Sequence, residues 1–330
     1  MGKLAEKESD DKANSKLQYG AAAMQGWRAS MEDAHSAHIE LEAEPNIAFF
    51  GVYDGHGGAE VAHYCQQNLH TAFIQTDSFA RGDYKQALRD SFLQMDVQMF
   101  SDEGRRELAE YDSNVSLSDA DFKGKLKQQG TLVGGLGDIG NTSEFSSGSN
   151  DADTQAGTTC VVGVVAENTL YCANAGDSRG VLCRQGQAIE MSEDHKPVNE
   201  KERQRIQNAG GFVQDGRVNG SLALSRAIGD VEFKQTKQLD AKNQIVTAEP
   251  DVRTFTLQPT DEFFMLACDG IWDVLGNQEA IDFTRSQLQQ GKNPKDIAEE
   301  LCDRCLASNT SGNGAGCDNM TVLIVCFRRP

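Results

Sequence analysis

The sequence predicts an α+β fold in which strands pair mainly antiparallel and helices cover the sheets. Three observations carry this. Apolar or alternating runs that read as strands outnumber the stretches with helical spacing. The short turns Ala166-Glu167-Asn168 and Gln185-Gly186 join strand-like runs as hairpins, which makes the joined strands antiparallel. The order is strands, two helices, many strands, two helices and one strand, without the strict strand–helix alternation of a parallel sheet.

Residues 1–16 are charged and poor in large apolar residues, so a loose tail is expected, followed by one domain over 17–330. Residues 17–25 and 37–41 read as strands. Residues 47–53, Ile-Ala-Phe-Phe-Gly-Val-Tyr, read as a fully buried one. Helical spacing follows over 59–73, with Val61, Tyr64, Cys65, Leu69 and Phe73 on one face, and over 84–100, with Leu88, Phe92, Met95 and Met99. Residues 101–155 are polar and rich in Ser, Gly and Asp, which predicts an insertion, mobile over 128–155. Its Gly135-Leu136-Gly137-Asp138-Ile139-Gly140 is a formal GxGxxG, but no strand precedes it and no helix follows, so a dinucleotide site is not expected. Strands follow at 160–165, 169–173, 180–184 and 187–191, then a charged helix over 198–209 that Gly210-Gly211 ends. Residues 212–242 are irregular. Strands at 252–257 and 263–268, helices at 278–288 and 294–307, and an apolar strand at 320–327 complete the chain.

The 330 residues carry a formal net charge of −19, which repels nucleic acid and anionic membranes. No run approaches the ~20 apolar residues of a membrane span. The N-terminus has no apolar signal region, and Gly2 is a poor myristoylation site because Glu6 stands where Ser or Thr is wanted. Nine cysteines, an odd number without framework spacing, predict free thiols in a reducing compartment, cytoplasmic and also nuclear. The lone CxxC, Cys302 and Cys305, falls in a helix and reads as buried thiols rather than half of a zinc site. A monomer is expected.

Chemistry gathers at strand ends. Glu32 and Asp33 precede a strand, Asp54 ends the apolar run from Ile47 within Asp54-Gly55-His56-Gly57-Gly58, Asp269 ends the strand from Phe263, and Asp318 lies just before the strand from Met320. Any one of these is an ordinary carboxylate at a loop end. Delivered together to one sheet end, they carry a large desolvation cost that divalent cations would remove. Oxygen ligands without His or Cys suit hard ions, Mg²⁺ or Mn²⁺. Two ions roughly 4 Å apart could share a bridging water and aim it at phosphorus, with Asp54, central in the most buried strand, as the bridging carboxylate. Arg28, four residues before Glu32, could clamp phosphate oxygens. Of six histidines only His56 lies inside the acidic motif, which makes it the candidate general acid. His63 and His70, seven apart on one helix, read as packing or surface residues. His35, His38 and His195 lie near motifs without so direct a position.

Taken in chain order, Arg28-Ala29-Ser30-Met31-Glu32-Asp33-Ala34, Val52-Tyr53-Asp54-Gly55-His56-Gly57-Gly58, Gly157-Thr158-Thr159, Ala175-Gly176-Asp177-Ser178-Arg179, Glu193-Asp194-His195-Lys196-Pro197, Ser221 through Asp230 (Ser-Leu-Ala-Leu-Ser-Arg-Ala-Ile-Gly-Asp), Ala267-Cys268-Asp269-Gly270-Ile271-Trp272-Asp273 and Cys317-Asp318-Asn319-Met320-Thr321 resemble the metal-dependent protein phosphatases of the 2C type. The resemblance runs from about residue 17 to 327. It implies a central sandwich of two antiparallel sheets flanked by helix pairs, a four-layer αββα arrangement. It implies hydrolysis of phosphoserine and phosphothreonine in proteins by a water bridging two Mg²⁺ or Mn²⁺ ions, without a phosphoenzyme. By position, Asp54 resembles the bridging ligand and the Gly55 carbonyl a ligand of one ion, and Asp269 and Asp318 resemble ligands of the other. Glu32 and Asp33 resemble holders of metal-bound waters, Arg28 the phosphate clamp and His56 the leaving-group acid. Asp177 and Asp273 match positions tied in some members to a weaker third ion, and residues 212–242 resemble the flap that shapes substrate choice. The 101–155 insertion is longer than in compact members. Two alternatives stay open: a phosphoesterase for small molecules, and a phosphoprotein-binding module without turnover. The module predicts missing metal carboxylates, and none is missing.

Overall fold

A computed structural model describes residues 3–114, 155–312 and 314–328. In chain order its strands are β1 (Leu4–Ala13), β2 (Leu17–Gly26), β3 (Ala34–His38), β4 (Ile47–His56), β5 (Gly157–Ala166), β6 (Thr169–Ala175), β7 (Arg179–Arg184), β8 (Gln187–Glu190), β9 (Val213–Gln214), β10 (Arg217–Val218), β11 (Ile228–Gly229), β12 (Asp251–Thr256), β13 (Asp261–Ala267) and β14 (Met320–Phe327). The α-helices are α1 (Glu60–Gln75), α2 (Asp77–Ala80), α3 (Tyr84–Met99), α4 (Asp102–Asn114), α5 (Glu200–Asn208), α6 (Asp269–Trp272), α7 (Asn277–Gln289) and α8 (Pro294–Cys305).

Two antiparallel sheets face each other. One runs β1-β2-β14-β13-β7-β8, the other β12-β6-β5-β4-β3 with β11 beside β5, and β9 pairs with β10 alone. Alternation explains the continuous apolar runs. In β4, Phe49 and Tyr53 pack with residues of α1 and α3, while Ala48, Phe50 and Val52 pack between the sheets. In β13, Phe263 and Met265 join Ile297 and Leu301 of α8, while Phe264 and Leu266 meet Phe50 and Val161. A strand covered on both faces has no polar side, and each buried Phe or Leu contributes about 1.5–3 kcal/mol. The result is the expected α+β sandwich, with α1, α3 and α4 outside one sheet and α7 and α8 outside the other. Among the described residues no helix is long and apolar enough to cross a membrane.

Four features differ from the sequence reading. Residues 4–13 are not a loose tail: β1 pairs with β2 from Leu4↔Gly26 to Ala13↔Gln18. Asn14 makes the hairpin, its Oδ1 accepting from the backbone N–H groups of Lys16 and Leu17, both at 2.8 Å. The strand was hidden because it is an edge strand held by ladder hydrogen bonds and polar contacts rather than by a buried face. Ser9 Oγ donates to Glu299 at 2.6 Å, Tyr19 Oη to Asp10 at 2.8 Å, and Lys7 pairs with Asp303 at 2.7 Å. Its charges also deter edge-to-edge pairing with other chains. Deleting residues 1–13 is therefore expected to lower the thermal midpoint by about 5 °C, the effect of roughly 2 kcal/mol in a domain of this size, and to promote self-association through the bared β2. An unchanged midpoint would show that β1 adds nothing.

The polar stretch after Ser101 begins with a helix. Leu108 and Tyr111 of α4 are buried in the cluster that holds α1, and Asn68 donates to Glu107 at 2.9 Å. Two apolar anchors in one short helix are too few for a periodicity signal. The rest of the insertion, including its GxGxxG and nearly all of the 128–155 segment expected to be mobile, lies outside the described residues, as does Gly2. The strand expected at 37–41 is β3, three residues earlier, because pairing with β4 (Ala34↔Tyr53 to His38↔Phe49) sets its limits. The irregular 212–242 segment carries β9, β10 and β11, and its Val218, Leu224 and Phe233 close over Ile206 of α5.

Candidate active site and metal centre

Antiparallel pairing brings particular strand ends together. The end of β4 lies beside the start of β5 (Asp54↔Thr159), and the start of β5 beside the end of β6 (Cys160↔Ala175). The end of β13 lies beside the starts of β14 and β7 (Ala267↔Val322, Ala267↔Arg179). The residues flanking these ends form one acidic cluster. Carboxylate oxygens of Asp54, Asp177 and Asp269 lie within 4.8 Å of one another, and so do ligand atoms of Asp33, Asp54 and Cys268.

Local structure fixes each member. Asp269 opens α6, and Trp272 at its end donates Nε1–H to Ala267 O at 2.8 Å, which locks the turn. Thr321 Oγ1 donates to Asp33 Oδ2 at 2.7 Å, whereas the buried Asp33 Oδ1 has no hydrogen-bond partner. Asn319 knits the Arg28–Glu32 loop to the start of β14. Its Nδ2 donates to Gln25 O at 2.9 Å and Ser30 O at 3.0 Å, and its Oδ1 accepts from Glu32 N at 2.9 Å. Glu32 accepts from Ser30 Oγ at 2.8 Å. A Cβ on Gly55 would collide with the Glu32 carbonyl, so only glycine lets these backbones meet there. Arg28 Nη2 donates to Asp318 at 2.5 Å, with its side chain 59% exposed.

Electrostatics test whether a cation fits. Burial, and then the charges of Asp33, Asp269, Asp177 and Asp318, push the Asp54 carboxyl well above the usual range. Burial, and then the charges of Asp177, Asp318 and Asp273, raise Asp269 to about 7, and burial raises Asp33 to about 6. Asp273, closing α6, is raised by burial, with Asp177 and Asp318 adding to it. Burial, and then the charges of Asp33, Asp54 and Asp269, push the Cys268 thiol far up. An unpartnered buried oxygen among carboxylates that repel one another is the environment a hard cation relieves, so the residues fit one.

His56 ends β4, and its Nε2 lies 2.8 Å from Asp230 Oδ2. Burial pulls the imidazole down, but the Asp230 hydrogen bond and charge, with Asp177 and Glu32 behind it, outweigh that and hold it above the ordinary histidine value.

The sequence model of the family described as "Protein phosphatase 2C" matches residues 17–120 and 138–314. The chain belongs to the protein phosphatase 2C family. It is 46% identical over 330 residues to "Probable protein phosphatase 2C 60" of Arabidopsis thaliana, covering 98% of this chain and 90% of that one. It is 44% identical over 336 residues to "Probable protein phosphatase 2C 11" of Oryza sativa subsp. japonica, at 98% and 89% coverage. Its fold is that of a solved serine-threonine phosphatase 2C from Toxoplasma gondii, with a TM-score of 0.68, 19% identity and coverage of 97% of this chain and 99% of that one. This phosphatase 2C is thus a hydrolase of a metal-dependent family.

In this protein phosphatase 2C, among the described residues, Asp54, Asp177 and Asp269 are three carboxylates whose oxygens gather within 4.8 Å of one another, while Asp318 is held by Arg28. Asp177 also pairs with Lys196. His195 is structural: its Nδ1 accepts from Gly176 N at 3.2 Å and its Nε2 faces Asp251 at 3.3 Å, which fixes the turn before Asp177. His38 and His70 stack on each other at 3.9 Å, and His63 on Tyr111, as packing residues. Cys302 and Cys305 are buried free thiols. The sequence reading gave no role to Lys196, Asn319 or Asp230. All three stand inside motifs it singled out, but their partners are 19, 287 and 174 residues away.

Proposed function

We propose that this phosphatase hydrolyses phosphoserine and phosphothreonine in proteins with two Mg²⁺ or Mn²⁺ ions held by Asp54, the Gly55 carbonyl, Asp269 and Asp318. Glu32 and Asp33 would act through ordered waters, and Asp177 and Asp273 would hold a weaker third ion. The observation that carries the reading is the carboxylate cluster with its unpartnered Asp33 oxygen, set between one half-exposed arginine and one histidine. When bound, the ions supply the positive charge that the cluster and a phosphate need, and make water nucleophilic near neutral pH.

The protein's own groups do the rest. Arg28 swings from Asp318 to two phosphate oxygens, which its planar fork suits. Water oxygen forms the new P–O bond and its proton leaves to solvent. The P–O bond to the side chain breaks, its electron pair stays on the seryl or threonyl oxygen, and His56 supplies the proton that oxygen needs. The products are inorganic phosphate and the free hydroxyl.

The first test is hydrolysis of a phosphothreonine peptide with Mn²⁺, with Mg²⁺ and with excess chelator. Turnover that needs metal and returns with it is expected. A folded protein inactive with either metal would leave only a binding role. Replacing His56 with Gln is expected to slow the phosphopeptide at least ~100-fold but p-nitrophenyl phosphate less than about tenfold, because a nitrophenolate leaves without a proton. Equal losses on both would remove His56 from the acid role.

A further inference from the structure

The motif ending in Gly229-Asp230 lies far in sequence from His56, yet the sheet brings the two together. At its first residue β5 has β4 on one side and β11 on the other, and Gly157 is paired with both His56 and Gly229. Asp230 follows Gly229, and its side chain reaches over Gly157 to His56 Nε2 at 2.8 Å. Gly157 leaves the room for this. A Cβ there would stand 2.6 Å from His56 Nε2 and 2.6 Å from Asp230 Cγ. Asp230 is 2% exposed.

Its backbone is held in the left-handed region, φ 51°, which L side chains enter at a cost. That conformation does not need the carboxylate. The Asp230 N–H bonds to Ala156 O at 3.1 Å, and the Gly229 N–H bonds to Asp96 at 2.9 Å. Asp96 in turn takes Lys234 Nζ at 2.6 Å. The segment is anchored by its main chain and by α3, which leaves the Asp230 side chain for the imidazole.

We propose that Asp230 is the positioning residue of the leaving-group acid: it holds His56 Nε2–H and turns Nδ1 toward the departing oxygen. This rests on the reading of His56 as that acid. When the P–O bond breaks, the Nδ1 proton passes to the seryl or threonyl oxygen and the ring becomes neutral. The Nε2 proton stays on the ring throughout, donated to Asp230 Oδ2. A fixed ring presents one nitrogen, and a ring freed from Asp230 rotates out of line.

The test is a double-mutant cycle on the metal-loaded protein with two substrates, a phosphothreonine peptide and p-nitrophenyl phosphate. Asp230→Ala is expected to lower kcat on the peptide by about 10- to 100-fold and on the aryl ester by less than about threefold. Asp230→Asn keeps an acceptor for Nε2–H and is expected to recover part of the peptide rate. The double variant His56→Gln/Asp230→Ala is expected to be no slower than His56→Gln alone, since Asp230 acts only through the ring. Gly157→Ala, which crowds the same contact from the strand, is expected to give the same peptide-selective loss, and with Asp230→Asn it carries the test should Asp230→Ala not fold. Losses that multiply in the double variant, or that fall equally on both substrates, would overturn the proposal while leaving His56 as the acid. A His56→Gln variant without leaving-group selectivity would overturn both.

Discussion

With Asp269 replaced by Asn, turnover of a phosphothreonine peptide is expected to fall at least ~100-fold at saturating Mn²⁺, more than the loss typical of a residue that only supports a metal ligand. The fold is expected to survive, because the turn Asp269 opens is held by Trp272 and by backbone bonds, including Asp273 N to Asp269 O at 2.8 Å. Stability gives a second readout. Without metal, burial and the neighbouring carboxylates push Asp269 up to about 7 from an ordinary 3.8. The folded state therefore keeps a proton that the unfolded chain gives up, and this group's contribution to stability falls as pH rises from about 4 to about 7. Asn carries no charge there, so the chelated variant is expected to melt no lower than the chelated parent at pH 8. Added metal is expected to raise the parent's midpoint more than the variant's. Near-normal turnover with an unchanged circular dichroism spectrum would take Asp269 out of the metal centre.

Glu202→Gln is expected to have the largest effect on stability. Glu202 on α5 is 2% exposed and accepts from Arg226 Nη2 at 2.7 Å, Arg205 Nη1 at 2.6 Å and Ser225 Oγ at 2.8 Å. Arg226, 3% exposed, also reaches Glu249 O at 3.0 Å and Asp251 at 3.1 Å, so the network ties residues 225–226 to α5 and to the start of β12. An amide in place of Glu202 takes the carboxylate partner from buried Arg205 and leaves buried Arg226 with Asp251 alone, at a cost of about 3–5 kcal/mol. At about 2–4 °C per kcal/mol this is a drop on the order of 10 °C in the thermal midpoint. Burial works against the Glu202 charge, but the two arginines outweigh it and hold the carboxyl at about 2. Its contribution is present above the ordinary value of 4.5 and is lost as pH falls through about 2. The gap between parent and variant midpoints is thus expected to be constant from pH 5 to 8 and to narrow below pH 4. A gap of a degree or less would show that the network fixes geometry without adding stability.

The residues that the sequence marks most plainly are those whose reason is local. The run from Ile47 to Tyr53 is apolar throughout because two cores cover it, and that pattern shows in seven consecutive letters. The helices α1 and α3 show their buried faces in the same way. Asp54, Asp269 and Asp318 are visible because each adjoins such a strand, Arg28 because it stands four residues before Glu32, and His56 because it stands two residues after Asp54. The strands also fixed the antiparallel pairing in outline, since their turns are short.

Only the tertiary structure decided which distant groups meet. Strand β1 has no apolar face to show, and exists because β2 offers it a ladder. Leu108 and Tyr111 make α4 a core helix although its sequence is polar. Asp177 joins Asp54 and Asp269 because β5 lies between β4 and β6, an adjacency that belongs to the sheet order. Asp230 reaches His56 because one glycine of β5 pairs with both of their strands. The physical reason is the same in each case. Burial and helical period leave their mark on neighbouring residues, whereas a ladder bond, a packing contact or a shared charge between separate elements leaves its mark only on the fold that brings them together.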